Sequence, residues 1–358
     1  MKKLRVGIVG CGGIAGSKHL PAMDRVGCFD VVAFCDLIEE RAVKLKELHG
    51  TKDAVVCTDY NELVAMDLDA VYVLTPNSSH APIAIAALKA GKHVMCEKPM
   101  ATSYAEAKAM VDAAKETGKI LTIGYQNRYR VDSQYLKAAC QADELGEIYY
   151  AKAHAIRRRA VPTWGVFLDA EKQGGGPLID IGTHALDLTL WMMDNYEPAS
   201  VTGSVFRKLA DQKNTANAWG DWDPEKFTVE DSAFGFIKMK NGATIMLESS
   251  WALNSLDVDE AKTSLCGTKA GADMKDDLRI NGVKYGKMYI EKPQLGAAGV
   301  AFYDGESDKP QDVEQKVFYE AITEGKPLTV LPEQAMVVTQ ILEAIYKSAK
   351  ENKTVYFE

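Results

Sequence analysis

Residues Leu4 to Ala15, LRVGIVGCGGIA, carry an apolar run straight into Gly10-x-Gly12-x-x-Ala15 near the start of the chain. This constrains the fold most, because each small residue has a mechanical task where a strand turns into a helix beneath a pyrophosphate. Gly10 permits the tight turn, Gly12 lets backbone N–H groups reach the phosphates, and Ala15 lets the next helix pack on the strand, with Gly13 and Ile14 completing the loop. The phosphates then rest on the helix N-terminus. A second apolar run, Val31 to Cys35, ends in Asp36, about 20 residues past the loop, where a ribose-binding carboxylate is expected. Together they point to dinucleotide binding, with NAD preferred because a carboxylate repels a 2′-phosphate, and NADP still possible through Arg41. The plainer reading makes Gly12-Gly13 an ordinary strand-to-helix turn and Asp36 a helix cap.

The rhythm of the chain extends this unit. Strand runs near 4–9, 31–35, 70–74, 93–96 and 120–123 alternate with helical patterns near 13–25, 39–48, 79–90 and 103–116, which predicts a doubly wound parallel sheet of the Rossmann type. After Gly124 the pattern changes to longer β-rich runs near 147–157, 199–207, 228–239 and 243–252, with Asn241-Gly242 as a hairpin turn. Two helices follow near 311–323 and 332–350, the second opening on Pro332. The expectation is an α/β chain in two domains. Residues 1–124 form the dinucleotide-binding domain, and residues 125–358 an α+β domain with a large, mostly antiparallel sheet. A chain of 358 residues with 47% hydrophobic content suits that size.

Charge and cysteine usage exclude several classes. The net charge is −8 and the only dense basic run is Arg157-Arg158-Arg159, which fits a solvated face or an anion site but not a nucleic-acid footprint. The seven cysteines include no Cys-x-x-Cys pair, and several fall inside strand runs, as expected of buried thiols in a reducing cytoplasm. Met1-Lys2-Lys3 faintly imitates a leader, but the segment after it is needed as the first strand. No stretch reads as membrane-spanning.

Open α/β sheets bind ligands beyond the carboxyl ends of their strands. Three segments fall there: Leu74-Thr75-Pro76-Asn77 with His80, Cys96-Glu97-Lys98-Pro99, and Gly124-Tyr125-Gln126-Asn127-Arg128-Tyr129. A fourth, Gly174-Gly175-Gly176-Pro177-Leu178-Ile179-Asp180-Ile181-Gly182-Thr183-His184, lies in the second domain. Its Asp180 and His184 are four apart, one face of a helix.

In this order the glycine loop, Glu97-Lys98-Pro99 and Asp180-x-x-x-His184 resemble the glucose-fructose oxidoreductase / inositol dehydrogenase / rhizopine-catabolism (Gfo/Idh/MocA) family. The motifs span residues 4 to 191, and beyond that the likeness is architectural. The resemblance implies an NAD(P)-dependent oxidoreductase acting on sugars, cyclitols or their derivatives, with Lys98, Asp180 and His184 as catalytic set. It also implies dimers or tetramers and a cofactor-side turn at Thr75, Pro76, Asn77 and His80, joined by Glu97 and Lys98. The chemistry agrees. Oxidising a secondary alcohol needs a base while hydride leaves, and a histidine, with an ordinary pKa of about 6.5, is suited to that. Lys98 would hydrogen-bond the same oxygen and stabilise developing alkoxide, and Asp180 would orient Lys98 or His184.

Plainer readings stay beside these. Asp180 also fits an early-helix carboxylate, Lys98 a solvated loop lysine, His184 a satisfied core histidine, and Pro76-Asn77-Ser78-Ser79 a helix-start signal. Substrate contacts are expected from Lys98, Asn127, Arg128, Trp164, Asp180 and His184. The polar segment 210–227, with Trp219, Asp221, Trp222 and Asp223, suits either a sugar-stacking loop or a surface loop. His154, Asp180 and His184 lack zinc-site spacing, so no metal is expected. Two other functions fit the same residues: glycoside cleavage through transient oxidation and elimination, and a non-catalytic NAD(P)-binding regulator.

Overall fold

Short runs of apolar, β-branched residues form strands that bury both faces, and Ala70–Val73 (AVYV) is buried at every position. In the computed structural model, which describes residues 2–295 and 309–357, six strands of this kind form a parallel sheet. They are β1 Leu4–Val9, β2 Phe29–Cys35, β3 Val55–Cys57, β4 Ala70–Val73, β5 His93–Cys96 and β6 Leu121–Ile123, in the order β3-β2-β1-β4-β5-β6. The order reverses between β1 and β4, so the glycine loop after β1 lies at the switch point where such sheets bind ligands. β3 escaped the sequence reading because three residues, one exposed, carry no periodicity.

The expected helix over 13–25 is divided. Ala15–His19 is a π turn, with Leu20 N–H donating to Ala15 C=O, and an α-helix follows over Leu20–Val26. Pro21 has no N–H to continue an α ladder, and the wider turn absorbs the break.

The second sheet has nine strands among the described residues. β7 Ile148–Ile156, β8 Pro198–Phe206, β9 Ser232–Met239, β10 Thr244–Ser250, β11 Asp259–Gly267, β12 Ala270–Asp273, β13 Arg279–Lys284, β14 Lys287–Glu291 and β15 Val355–Tyr356 run in the order β14-β13-β12-β11-β7-β10-β9-β8-β15. Neighbours are antiparallel except β7 and β10. Helix Thr183–Met193, buried from Thr183 to Met192, packs on β7 and β11. The strands alternate accordingly: Ile237 and Leu247 are buried, while Phe206 and Phe236, each 40% exposed, face away from the core.

Contacts divide the chain into two units, residues 1–129 with 308–336 and residues 130–307 with 337–358. The first unit thus extends past 124 and takes in helix Pro310–Glu324, which the sequence reading gave to the second domain. The reason is a face of that helix that fits the parallel sheet. Phe318 meets Tyr72 edge-on at 5.6 Å between ring centroids, Tyr319 meets Phe29 at 6.0 Å, and Asp312 forks onto Arg25 at 2.6–3.1 Å.

Candidate active site

Gly10 takes φ +94°, and a Cβ there would lie 2.5 Å from Leu74 C=O, so only glycine makes this turn. Gly12 and Gly13 differ: a Cβ on either meets no protein atom within 4 Å. Nothing among the described residues requires their smallness, and the free space beside the backbone is where a pyrophosphate would lie. Asp36 accepts the Cys11 N–H at 2.8 Å and the Ile38 N–H at 2.9 Å, which joins the end of β2 to the glycine loop. Ile14 is 39% exposed beside this loop and Ala15 is buried under it. The residues present fit a dinucleotide.

Glu97 is the centre of a buried polar network. Its Oε1 accepts from Lys18 Nζ at 2.6 Å and from His19 Nε2 at 2.7 Å, and its Oε2 accepts the Lys98 N–H at 3.1 Å. Lys18 also pairs with Glu314 at 3.1 Å. Gln315 Nε2 lies 3.2 Å from His19 Nδ1, and its Oε1 accepts from Tyr72 Oη at 2.7 Å. Burial by itself would raise the Glu97 carboxyl; the Lys18 ammonium and the His19 N–H overcome it and hold Glu97 well below the usual carboxylate range. For Lys18 burial pulls down, and Glu314 with Glu97 more than compensates. Gly124 leaves room for the carboxylate, 3.1 Å from where its Cβ would be. Glu97 therefore acts inside the protein, anchoring the turn that presents the half-buried Lys98.

Besides Glu97, two more expected ligand contacts depart from the sequence reading. His80 is fully buried, with Nδ1 2.8 Å from Pro99 C=O and Nε2 2.9 Å from Thr75 C=O, and burial lowers its pKa. It ties the loop after β4 to the loop after β5 and meets no open space. Arg128 is also fully buried, donating to Thr329 C=O at 2.9 Å and Gln334 Oε1 at 2.6 Å. Thr75, Asn77 and Asn127 are half-buried, and Pro76 is exposed.

In the second unit Asp180 lies on a π turn, Leu178–Gly182, and His184 near the start of the α-helix after it. The expected single helix is thus widened by one residue at the candidate carboxylate, a placement π turns often have. Asp180 Oδ2 accepts from Trp251 Nε1 at 3.0 Å and lies 3.9 Å from Arg157 Nη1. His184 is 8% exposed. The turn is locked from behind: Glu230 accepts from Gly176 N–H, Leu178 N–H and Tyr346 Oη at 2.8–3.1 Å, and Ser249 Oγ donates to Pro177 C=O. Burial pushes the Glu230 carboxyl up against the pull of these donors. A Cβ on Gly175 would overlap Tyr346 Oη, and one on Gly176 would overlap Glu230 C=O. Trp164, half exposed, meets Trp219 edge-on, 4.9 Å between centroids. Among the described residues no group of three His, Cys, Asp or Glu side chains is gathered to hold a metal ion.

Residues 4–125 match the oxidoreductase family with an NAD-binding Rossmann fold, and residues 133–273 match the C-terminal domain of the same family. The chain belongs to the Gfo/Idh/MocA family. Its N-terminal unit is that family's NAD-binding Rossmann domain. The D-glucoside 3-dehydrogenase of Escherichia coli K12 is 35% identical over 98% of this chain and 97% of its own. The myo-inositol 2-dehydrogenase of Thermotoga maritima is 26% identical over 99% of each. Levoglucosan dehydrogenase in complex with NADH and L-sorbose shares the fold, with a TM-score of 0.84 at 21% identity over the whole of both chains.

Sequence reasoning missed Lys18, His19, Glu314 and Gln315 in this Gfo/Idh/MocA chain. A Lys-His pair inside the apolar run around AGSKHLPAM is a local signal of buried charge, but its partner Glu97 is nearly eighty residues away. Trp251, Arg157 and Glu230 were missed as partners of Asp180 and its turn for the same reason.

Proposed function

We propose that the protein is an NAD-dependent dehydrogenase that oxidises a secondary ring hydroxyl of a D-glucoside or related sugar. The observation that carries this reading is the 35% identity to D-glucoside 3-dehydrogenase along nearly the whole chain, joined to the presence here of Lys98, Asp180 and His184. Bound NAD supplies the hydride acceptor. The chain must take one proton from the hydroxyl and stabilise the oxygen as negative charge develops. His184 takes the proton, Lys98 stabilises the oxygen, and Asp180, held by Trp251, orients one of the two. Asn127 supplies a further contact to the oxidised sugar, Trp164 contacts the group attached to that sugar, and Thr75, Pro76 and Asn77 border the cofactor.

The test follows absorbance at 340 nm with NAD and a panel of methyl β-D-glucoside, glucose and myo-inositol. NADH accumulating with the glucoside is expected. Oxidation of myo-inositol alone overturns the sugar assignment, glycoside cleavage without net NADH makes the enzyme an eliminating glycosidase, and NAD binding with no turnover makes the protein a regulator.

Assembly and compartment belong to the same reading. The sheet face bearing Phe206 and Phe236 is buried in a homodimer or homotetramer; a monomeric mass by light scattering at micromolar concentration would reject this. All seven cysteines are free thiols, and burial, aided by Asp36, pushes Cys11 up to about 12. These are packing residues suited to a reducing cytoplasm, and among the described residues no helix is long and apolar enough to cross a membrane. Fractionation of the native host, with the protein outside the cytosolic fraction, would contradict the placement.

A further inference from the structure

The second unit presents two indoles to solvent side by side, Trp164 at 50% exposure and Trp219 at 44%. Their rings stand at 80° with centroids 4.9 Å apart, forming a corner with a floor and a wall. Exposed tryptophans are usually scattered singly on a surface, and a pair gathered at one spot marks a place where apolar area is covered in use. This pair is also built rather than loose. The two loops that carry it are cross-linked by Val161 N–H to Asn217 Oδ1 at 2.8 Å, Asn217 Nδ2 to Val161 C=O at 2.9 Å, Thr163 Oγ1 to Trp219 C=O at 2.8 Å, and Ala218 N–H to Arg159 C=O at 3.0 Å.

The corner adjoins the candidate carboxylate. The Arg157 guanidinium stacks 5.3 Å from the Trp219 ring centroid, and its Nη1 lies 3.9 Å from Asp180 Oδ2. Glu260 clamps the same guanidinium through two bonds of 2.6 Å, so the distance between carboxylate and indole is held. A second path runs from Asp180 to Trp251 Nε1, from Trp251 to Phe167 at 6.4 Å, and from Phe167 to Trp164 at 5.9 Å. Asp180 and the open indole corner are therefore separated by one guanidinium on one path and by two rings, the Trp251 indole and the Phe167 phenyl, on the other.

We propose that Trp164 and Trp219 form a second-ring subsite, which takes a six-membered ring joined through the glycosidic oxygen to the sugar that is oxidised at Asp180. A pyranose has apolar C–H faces and polar edges, and an aryl aglycone is apolar on both faces. Either stacks on an indole, while the methyl group of a methyl glucoside is too small to reach the corner. The proposal rests on the reading that Asp180 faces the sugar, and it extends that reading by naming the substrate class: disaccharides and aryl glucosides above simple monosaccharides. Because the corner touches no reacting bond, its binding energy is expressed in KM and not in kcat.

The test measures KM for methyl β-D-glucoside, a β-linked glucosyl-glucose disaccharide and an aryl β-D-glucoside under saturating NAD, in the wild type and in Trp219→Ala and Trp164→Ala. The wild type is expected to show a KM about tenfold lower for the two ring glycosides than for the methyl glucoside, equivalent to ~1.4 kcal/mol. In the alanine variants that ratio falls toward one, and Trp219→Phe keeps most of it. A ratio unchanged by both substitutions overturns the proposal, as does an equal rise in KM for all three substrates. If the wild type oxidises no sugar, the dehydrogenase reading fails separately. The subsite is then decided by indole fluorescence: quenching by the disaccharide that is lost in Trp219→Ala supports it, and no quenching in the wild type rejects it.

Discussion

Asp36 ends β2 with each carboxylate oxygen already accepting one backbone N–H, from Cys11 and from Ile38. Each oxygen retains acceptor capacity for a ribose hydroxyl, and neither can accommodate a phosphate. NAD is therefore expected to bind at least tenfold more tightly than NADP, and Asp36→Ala to narrow that gap by weakening NAD selectively. Equal Kd values in a fluorescence titration of the wild type would overturn this, with exposed Arg41 the residue then to suspect. In the proposed mechanism Lys98 and His184 act on rate. Lys98→Met and His184→Ala are each expected to lower kcat by about 10² or more with NAD affinity nearly unchanged, since general acid–base assistance contributes 10²–10⁴-fold. The double variant should fall short of the product of the two effects. A His184→Ala enzyme with full kcat from pH 6 to 9 would leave that histidine a structural role only.

At the scale of elements, two π turns among the described residues widen what would otherwise be regular helices, and each carries polar side chains of a candidate site. Ala15–His19 presents Lys18 and His19 to Glu97, and Leu178–Gly182 presents Asp180 to Trp251. The second depends on two glycines, Gly175 and Gly176, whose smallness is a packing demand made by Tyr346 and Glu230. Gly175→Ala is expected to destabilise by about 1–3 kcal/mol, as overpacking usually does, and to lower kcat by disturbing Asp180. Adding Tyr346→Phe removes the overlapping hydroxyl and should recover part of the loss, read as a positive coupling in a double-mutant cycle of urea unfolding. Purely additive effects would show that the glycine matters for another reason. The motif around Asp180 was legible as a pattern, but the residues that lock it, Glu230, Ser249, Trp251 and Tyr346, lie between about fifty and one hundred and seventy positions away and carry no local sign of the task.

For the whole molecule, the buried ionic network sets a limit on acid stability. The Glu97 carboxyl is depressed in the folded state by Lys18 and His19 against burial. Its contribution is therefore fully present above the unfolded carboxyl value of about 4.3 and is lost as pH falls through the lower folded value. Thermal melts from pH 6 to 3 should show a wild-type Tm that falls steeply below pH 4.5, and Glu97→Gln should be less stable at pH 6 but flatter across that range. Parallel curves would mean that other carboxylates govern the acid limb.

What the sequence by itself determined is what local pattern encodes: the strand-loop-helix start with Asp36, the change of rhythm after Gly124, the two sheets, and the positions of Lys98, Asp180 and His184. Periodicities of two and 3.6, glycine punctuation and short motifs are properties of neighbours along the chain, so they survive without coordinates. Tertiary structure alone decided which residues support that chemistry. His80 and Arg128 read as ligand contacts until burial showed each of them hydrogen-bonded to the protein itself. Lys18, Glu314 and Gln315 read as ordinary helix residues until helix Pro310–Glu324 placed them around Glu97 and His19. The reason is physical. A buried charge is stable only beside its partner, and where that partner lies is set by chain topology, which joins residues nearly three hundred positions apart.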